Sequence, residues 1–374
     1  MKVLLVFGTR PEAVKMAPVV AEFKRNPRFE CVVCVTAQHR GLLDQVLQFF
    51  GIEPDFDLNV MKDKQSLEAI TAEILTKVTG VISTVKPDFV FVHGDTTTAF
   101  ATAIASFYSK IPCVHVEAGL RTGNMHSPWP EEMNRKVLGS LASVHFAPTI
   151  SAFRNLVSEN VPKSQICITG NTGVDALFEA MAIIGRDSAM RQKIKEKLKI
   201  DASRKLILVT SHRRESFDSG LSDICRALRE IAERDDVQLI YPVHPNPQVR
   251  TIVENNLRSN PRISLVEPLT YPEFVLAMKS SYLILTDSGG VQEEAPSLGK
   301  PVLVMREATE RPEAVEAGAA RVVGTAAKGI IDQTNALLND NNLYRSMIAK
   351  SNPFGDGTAA RKISEHMKGL EKGK

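Results

Sequence analysis

Short apolar runs alternate with amphipathic segments of helical length along almost the whole chain. In the first half the strand-like runs are residues 3–7, 31–36, 89–92, 113–116 and 144–147. Helical periodicity lies between them, most clearly at residues 65–85 and 97–108. Continuous apolar strands that alternate with helices predict a parallel sheet covered by helices on both faces.

The same alternation restarts in the second half, after a long helical pattern that begins near residue 170. Its strand-like runs are residues 206–209, 238–243, 263–266, 282–285, 302–305 and 321–323. The intervening and final helical segments are residues 221–232, 271–278 and 358–370. The pattern predicts the α/β class, with two doubly wound, Rossmann-like domains whose loops face a cleft. Residues 1–169 form the first domain and residues 170–355 the second.

A glycine-rich turn follows the fourth apolar run of the second half and leads into a helix. Ser288, Gly289 and Gly290 stand where that helix begins, so their backbone N–H groups and the helix dipole favour an anion such as a diphosphate. Glu293 and Glu294 come next, where a carboxylate accepts hydrogen bonds from ribose hydroxyls. The alternative is a plain glycine turn followed by acids that the helix dipole favours.

Two cations follow the first apolar run. Arg10 is expected in the loop before Pro11, and Lys15 lies about one helical turn further on. Such a pair is suited to a shared phosphate or carboxylate partner. Ordinary solvated side chains are the alternative at this spacing.

Three carboxylates also come after apolar runs or at a helix start in the first half. Asp95 follows the run that ends near His93, Glu117 follows the next run, and Glu131 opens a helical segment. Taken singly, Asp95 is predicted as a helix N-cap and Glu131 as a partner of the helix dipole. Because strand ends meet at one edge of a parallel sheet, together they predict an acid/base site.

Composition excludes several classes of protein. The net charge is +3, and the basic residues are scattered among acids, so no nucleic-acid-binding stripe is present. Five cysteines without framework spacing predict a reducing cytoplasm. No signal peptide or membrane span is expected. His212 and His244 lack the spacing of metal ligands, so phosphate binding or proton transfer is the predicted role.

Seven motifs, in order and spread over nearly the whole chain, resemble those of one family. They are Phe7-Gly-Thr-Arg-Pro-Glu, Val92-His-Gly-Asp-Thr, His115-Val-Glu-Ala-Gly-Leu-Arg, Pro130-Glu-Glu-Met-Asn-Arg, Ser211-His-Arg-Arg-Glu, Pro242-Val-His-Pro-Asn-Pro and Asp287-Ser-Gly-Gly-Val-Gln-Glu-Glu-Ala. The chain thereby resembles the bacterial non-hydrolysing UDP-N-acetylglucosamine 2-epimerases. This resemblance implies a glycosyltransferase-B-like fold, with residues 356–374 packing back on the first domain. It also implies a cytoplasmic homodimer without a cofactor that interconverts UDP-GlcNAc and UDP-ManNAc for cell-envelope polysaccharides.

The resemblance assigns roles to individual residues. Phe274 would stack on uracil, Ser288, Gly289 and Gly290 would hold the diphosphate, and Glu294 would take the ribose. The other substrate-binding residues that it implies are Arg10, Lys15, Arg135, Arg213, His244 and Arg311. The implied catalytic residues are Asp95, Glu117, Glu131 and His212. A regulatory second UDP-GlcNAc would lie near Gln38, His39 and Gln65, although Gly41 stands where an acidic residue is expected.

The chemistry of the sugar limits how such an enzyme can work. The C2 proton is not beside a carbonyl, so removal of that proton to form an enolate is excluded. Elimination of UDP from C1 with loss of the C2 proton gives 2-acetamidoglucal, and re-addition after protonation from the other face gives the epimer. This route needs one carboxyl group on each face and cations on the leaving diphosphate, but no metal or nicotinamide.

Three other functions share part of this pattern. A glycosyltransferase would use the same nucleotide-sugar with an acceptor. A module that only senses a nucleotide-sugar would need the glycine turn but not three carboxylates. A 2-epimerase of a UDP-2,3-diacetamido-uronate would keep the chemistry and change the sugar.

Overall fold

The structure, a computed structural model, describes residues 1–37, 40–62, 65–211, 219–348 and 351–371. It divides into two compact units. The first comprises Met1–Ala176 with Phe354–Lys374, and the second comprises Leu177–Pro353.

The first unit is built on a parallel sheet of seven strands in the order β3-β2-β1-β4-β5-β6-β7. The strands are β1 (Lys2–Phe7), β2 (Glu30–Val35), β3 (Phe56–Asp57), β4 (Phe89–His93), β5 (Cys113–Val116), β6 (Val144–Ala147) and β7 (Ile166–Ile168). Its helices are α1 (Arg10–Arg25), α2 (Arg40–Phe50), α3 (Leu67–Val85), α4 (Thr97–Tyr108), α5 (Glu131–Leu141) and α6 (Ile150–Ser158). A 3₁₀ turn, Lys163–Gln165, precedes β7.

The helix α7 (Thr172–Arg186) begins in the first unit and contains the division between the two units. The second unit carries a parallel sheet of six strands in the order β10-β9-β8-β11-β12-β13. Those strands are β8 (Lys205–Thr210), β9 (Val237–Pro242), β10 (Ile263–Val266), β11 (Leu283–Thr286), β12 (Val302–Val304) and β13 (Ala320–Val322).

Among the described residues, nine helices follow in chain order, eight in the second unit and the last back in the first. They are α8 (Ser188–Leu198), α9 (Ser219–Ile231), α10 (Pro247–Leu257), α11 (Tyr271–Ser280), α12 (Gly289–Glu294), α13 (Pro312–Glu316), α14 (Ala327–Asn339) and α15 (Asn341–Ser346), with α16 (Ala359–Glu371) completing the first unit. A 3₁₀ turn, Ala295–Leu298, extends α12. Within the described ranges, no helix is both long and apolar enough to cross a membrane.

The burial of the central strands shows that both sheets are covered on both faces. Residues 3–7 of β1 are fully buried, and so are residues 206–209 of β8 to within 2% exposure. A strand buried on both sides cannot alternate apolar and polar residues, which is why these runs are continuously hydrophobic. The predicted α/β class with two doubly wound sheets is confirmed.

Two short strands were not predicted. β3 has two residues and β7 has three. Both are outermost strands of the first sheet, and runs so short carry no periodicity that distinguishes them from loops.

The observed division also lies later along the chain than the predicted junction, after Ala176 instead of residue 169. The reason is a contact at the start of α16. The buried Asp175 carboxylate accepts hydrogen bonds from the N–H groups of Ala359 (3.2 Å) and Ala360 (2.9 Å), which ties the first turn of α7 to the first unit. Burial raises the pKa of Asp175 to about 6. The two hydrogen bonds lower this pKa, but the effect of burial is larger.

Candidate active site

The predicted polar residues of the first unit gather where its sheet topology reverses. β1 lies between β2 and β4, so the loops after β1 and β4 diverge and open a crevice at the carboxyl edge of the sheet. The chain enters α1 at Arg10 directly after the first loop, and the second loop carries Asp95. Glu117 follows β5, the next strand in the sheet. Three predicted residues thus follow three adjacent strands.

Glu117 has a backbone conformation that side-chain-bearing residues rarely adopt. Its φ angle is +61°, in the left-handed region, which costs roughly 1–2 kcal/mol for a residue with a Cβ. The flanking backbone enforces it, because Val116 O accepts a hydrogen bond from Gly94 N (2.9 Å) and Ala118 N donates one to Phe146 O (3.0 Å). The chain therefore holds Glu117 in a strained conformation between two fixed neighbours.

The carboxylate of Glu117 is held from three elements. Lys15 of α1 forms an ion pair and a hydrogen bond with Oε2. Asn171 Nδ2, just before α7, donates to the same oxygen at 2.7 Å. His93 Nε2, at the end of β4, lies 3.9 Å from it. Lys15 therefore binds a carboxylate of the chain, and the predicted phosphate or carboxylate partner shared with Arg10 stays a prediction.

Asp95 is not the N-cap of α4, and that prediction is wrong. Thr96 has this role, because its hydroxyl accepts the N–H of Ala99 at 3.1 Å. The Asp95 carboxylate instead accepts a hydrogen bond from Arg135 Nε at 2.7 Å. Its carbonyl oxygen accepts one from Asn134 Nδ2 at 2.8 Å. Two residues of α5 therefore hold the backbone and the side chain of Asp95.

Arg135 owes its orientation to a second carboxylate. Its Nη1 donates to Oε2 of the fully buried Glu132 at 3.0 Å. Glu132 also accepts the N–H groups of Thr122 (3.1 Å) and Gly123 (3.0 Å). Burial alone would raise the pKa of Glu132, but these N–H groups and Arg135 outweigh burial and lower it. The predicted contact of Arg135 with the substrate stays a prediction.

Glu131 lies beside Glu132 on the first turn of α5, yet its surroundings differ. No donor among the described residues reaches its buried Oε2 atom. A buried carboxylate oxygen without a hydrogen bond costs stability, which is expected where a group is kept for proton transfer rather than for folding.

A fourth carboxylate joins the loops after β1 and β4. Glu12 is buried and accepts the N–H groups of Gly8 (3.0 Å) and Thr9 (2.8 Å) together with the hydroxyl of Thr96 (2.6 Å). Burial raises its pKa against these bonds, which lower it. Thr9 caps α1 with Glu12 as its partner, so Arg10 is the first helical residue and not a loop residue as predicted.

The histidines of β5 and β6 are not acid/base groups at neutral pH. Burial lowers the pKa of His115 to about 3, with the neighbouring His145 adding to the effect. Burial also lowers the pKa of His145 to about 4. His115 Nε2 donates to the carbonyl of Gly94 at 2.7 Å, so this ring supports the loop that carries Asp95.

The glycine turn of the second unit lies at the corresponding topological reversal, after β11 and next to β8. Neither Gly289 nor Gly290 has a positive φ angle, and a Cβ at Gly290 would meet no atom within 4 Å. The chain therefore has no steric need for glycine at position 290. Because glycine has no side chain, a ligand can approach the backbone at this position closely, which suits a bound diphosphate.

Arg311 lies beside this turn. Its Nε donates to Glu293 Oε1 at 2.5 Å, and a Cβ at Gly289 would lie 3.5 Å from its Nη2. Glu293 is 1% exposed, so its carboxylate positions Arg311 and is not open to a ribose. The structure thus brings together Ser288, Gly289, Gly290 and Arg311, with Glu294 on the same helix, as predicted.

His244 and Phe274 lie further along the same edge of the second sheet. His244 follows β9, and its Nδ1 accepts the N–H of Asn246 at 3.2 Å. In the neutral ring the proton is therefore on Nε2. Phe274 is half-buried in the first turn of α11, after β10.

Four predicted site residues lie outside the described residues, namely Gln38, His39, His212 and Arg213. Of the predicted regulatory residues, Gln65 is described, and its Nε2 donates to Glu73 Oε2 at 3.1 Å. Lys62, and then Lys77, lower the pKa of Glu73 to about 2. Gln65 thus belongs to a charged cluster in front of α3.

Three residues that organise the first unit's cluster had no predicted role: Glu12, Glu132 and Asn171. Glu12 forms a capping box with Thr9, whose spacing is visible in the sequence. The adjacent acids Glu131 and Glu132 are visible in the sequence and indicate that the start of α5 uses more than one carboxylate. Asn171 resembles an ordinary helix cap, which hides its contact with Glu117.

Glu131 and Glu132 allow a direct test of these assignments. We expect Glu132→Gln to lower the thermal unfolding midpoint at pH 7 by about 4–8 °C. The amide NH₂ group cannot accept the hydrogen bonds that Thr122, Gly123 and Arg135 donate, and this loss costs about 2 kcal/mol. Glu131→Gln, the matched control, should leave the midpoint within about 1 °C or raise it.

The pH dependence of the Glu132 effect follows from its lowered pKa. The stabilisation is present above the carboxyl group's ordinary pKa and disappears as the pH falls through the lowered value. The midpoints of the wild type and Glu132→Gln should therefore converge in acid. Equal shifts in the two variants at pH 7 would contradict the assignment.

Comparison with known proteins agrees with this geometry. A sequence model of the family described as UDP-N-acetylglucosamine 2-epimerase matches residues 21–368. The UDP-N-acetylglucosamine 2-epimerase of Escherichia coli K12 is 53% identical over 370 residues, which cover 98% of each chain.

Solved structures match over the same length. The crystal structure of the Neisseria meningitidis UDP-GlcNAc 2-epimerase bound to UDP-GlcNAc has a TM-score of 0.92 and 46% identity, covering 98% of this chain and 99% of that one. The Methanocaldococcus jannaschii UDP-GlcNAc 2-epimerase in complex with UDP-GlcNAc and UDP has a TM-score of 0.84 and 32% identity, with 98% and 99% coverage. The predicted glycosyltransferase-B-like fold is confirmed, and the chain belongs to the UDP-N-acetylglucosamine 2-epimerase family.

Proposed function

We propose that this protein interconverts UDP-GlcNAc and UDP-ManNAc by eliminating UDP and adding it back from 2-acetamidoglucal. The observation that carries the proposal is the set of carboxylates in the first unit. Asp95, Glu117 and Glu131 come from three different elements. Arg135 binds Asp95 and Asn171 binds Glu117, whereas no donor among the described residues reaches Glu131 Oε2. Binding a nucleotide-sugar without chemistry would not require such a set.

The second unit supplies the nucleotide site in this proposal. The diphosphate binds the backbone N–H groups of Ser288, Gly289 and Gly290, next to the guanidinium of Arg311. Glu293 supports this role, because its buried carboxylate fixes the arginine beside the turn. Glu294 takes the ribose. Relatives solved with UDP-GlcNAc or UDP bound are consistent with such a ligand.

Phe274 and His244 complete the nucleotide side of the proposal. Phe274 stacks on uracil, since the half-buried ring lies in the helix turn that follows β10. His244 presents its Nε2–H as a donor to a phosphate oxygen, because Nδ1 is occupied by the N–H of Asn246.

The reaction itself needs two events at neighbouring carbons. The C1–O bond breaks with its electron pair leaving on the UDP β-phosphate, while a carboxylate removes the C2 proton and the C1–C2 double bond forms. Re-addition reverses these steps, with a second carboxyl group delivering a proton to the opposite face of C2. Atoms and charges balance without an oxidant, since UDP is both leaving group and nucleophile.

The contacts of Glu117 and Asp95 fit this acid/base chemistry. Lys15 and Asn171 donate to Glu117, and Arg135 donates to Asp95, so the hydrogen bonds orient both carboxylates. Arg10 and His212 are the cations that we assign to the departing diphosphate. The Arg10 backbone is set by the Thr9 and Glu12 capping box.

We place the reaction in the cytoplasm and expect a homodimer that supplies cell-envelope polysaccharide synthesis. All five cysteines are free, as a reducing compartment requires. The Escherichia coli relative at 53% identity is a bacterial protein.

The carboxylate roles predict a specific kinetic pattern. Asp95→Asn, Glu117→Gln and Glu131→Gln should each lower kcat by about a hundredfold or more, because each removes a group that acts in the transition state. UDP affinity, measured by calorimetry, should stay within about threefold of the wild type, since these residues lie outside the proposed nucleotide site. Turnover close to wild type in all three would refute the assignment.

Solvent isotope incorporation tests the function directly. Incubation with UDP-GlcNAc alone in D₂O should give UDP-ManNAc with deuterium at C2, because the proton removed from one face is not the proton returned to the other. Proton and carbon NMR of the recovered nucleotide-sugars measure the label. Heat-denatured protein is the control.

Each rival outcome has its own signature in that experiment. A transferase would leave the sugar unchanged without an acceptor, apart from slow hydrolysis. A binding module would leave it unchanged altogether. Epimer without deuterium at C2 would contradict the elimination route and the roles of the three carboxylates.

A further inference from the structure

Asn171 lies between a strand end and a helix start, and its side chain is fully enclosed. It follows β7, immediately precedes α7, and is 2% exposed. Its Oδ1 accepts the N–H of Gly173 at 2.8 Å, and its Nδ2 donates to Glu117 Oε2 at 2.7 Å. One side chain thus caps a helix and binds a carboxylate of the proposed catalytic set.

The orientation of this amide is determined by its partners. The backbone N–H of Gly173 can only donate, so the oxygen of Asn171 must face it. The NH₂ group must then face Glu117. An aspartate in the same place would keep the helix cap but would present an acceptor and a negative charge to Glu117.

The backbone at Asn171 is fixed by the returning end of the chain. Its N–H donates to Phe354 O at 2.6 Å. Gly170 and Gly355 both have positive φ angles, +92° and +126°, and a Cβ at Gly170 would lie 3.2 Å from Gly355 Cα. The two segments are therefore in direct backbone contact, which leaves Asn171 little freedom to move.

The same turn also supports the other donor to Glu117. A Cβ at Gly173 would lie 3.4 Å from Lys15 Cε, so the lysine stem runs along the first turn of α7. Lys15 and Asn171 both bind Oε2 of Glu117. This turn therefore determines the position of both donors, although it belongs to neither β5 nor α1.

We propose that Asn171 is a positioning residue for the reaction: it holds the Glu117 carboxylate in its ionised form and in the orientation needed for proton transfer at C2. The inference rests on the proposed function, since it takes Glu117 to be catalytic. Asn171 acts through Glu117, and the position of Asn171 is in turn set by the contact between residues 170–171 and 354–355.

The decisive variant is Asn171→Asp. Aspartate is a good N-cap, so the helix cap to Gly173 is kept while the donor to Glu117 is lost. We expect kcat to fall by about thirtyfold or more, with KM for UDP-GlcNAc within about threefold of the wild type. The limb of the kcat–pH profile that Glu117 governs should move to higher pH, because a second carboxylate disfavours its ionised form.

Asn171→Ser is the second variant, used in case Asn171→Asp does not fold. Serine also caps helices but is too short to reach Glu117, so kcat should fall with a smaller upward shift in pH than in Asn171→Asp, because the donor is lost but no second carboxylate is added. Asn260→Asp is the matched control. Asn260 Oδ1 accepts the N–H of Arg262 at 2.9 Å, so this asparagine also binds the backbone two residues later in the chain. Its turn precedes β10, an outermost strand of the second unit's sheet. Its kinetics should match the wild type.

The outcomes separate this inference from the function on which it rests. Wild-type kcat and pH profile in folded Asn171→Asp or Asn171→Ser, alongside an inactive Glu117→Gln, would overturn the role of Asn171 alone. Wild-type turnover in Glu117→Gln would overturn the proposed function itself. A third outcome is that both Asn171 variants lose kcat only in proportion to a lower thermal midpoint, and that Asn171→Asp shows no shift in its pH profile. Asn171 would then be a helix cap without a positioning role.

Discussion

The conformation and contacts of Glu117 are the constraint on which the first unit's site depends. Its left-handed backbone directs the side chain away from the course of β5, and hydrogen bonds of the residues on either side hold it there. Lys15 and Asn171, which are 102 and 54 residues away in the chain, meet on one oxygen of that carboxylate. Strain at this residue is balanced by packing contributed by α1, β4 and the start of α7, so the site and the fold stabilise each other.

In the proposed function the two units have different chemical tasks, although their sheets share the same topology. In the first, the loops at the reversal point carry carboxylates, and each carboxylate has its own partner, Lys15 for Glu117 and Arg135 for Asp95. In the second, the corresponding loop presents backbone N–H groups and one arginine held by the buried Glu293. Proton transfer needs side chains with defined ionisation, whereas diphosphate binding needs backbone donors and a cation. The proposed tasks are consistent with acids in one set of loops and glycines in the other.

Local pattern predicted most of the fold, and the roles of the site residues stay predictions. The apolar runs indicated the central strands of both sheets, and residues 97–108 form a helix with the predicted bounds. The errors concern contacts that local pattern does not encode. Asp95 was read as a cap because the sequence cannot show that Arg135, 40 residues later, binds it. Asn171 was missed because a helix cap explains it locally, and the junction was placed too early because Asp175 meets α16 over a separation of 184 residues.

In the proposed reaction C2 inverts because the bond between C1 and the UDP oxygen breaks and re-forms in the site. Positional isotope exchange measures that cleavage most directly. UDP-GlcNAc carrying ¹⁸O in the bridge between C1 and the β-phosphorus is incubated with the protein, and phosphorus NMR locates the label. We expect ¹⁸O to appear in non-bridging positions of the β-phosphate in both UDP-GlcNAc and UDP-ManNAc. Epimer that keeps all of its ¹⁸O in the bridge would contradict it.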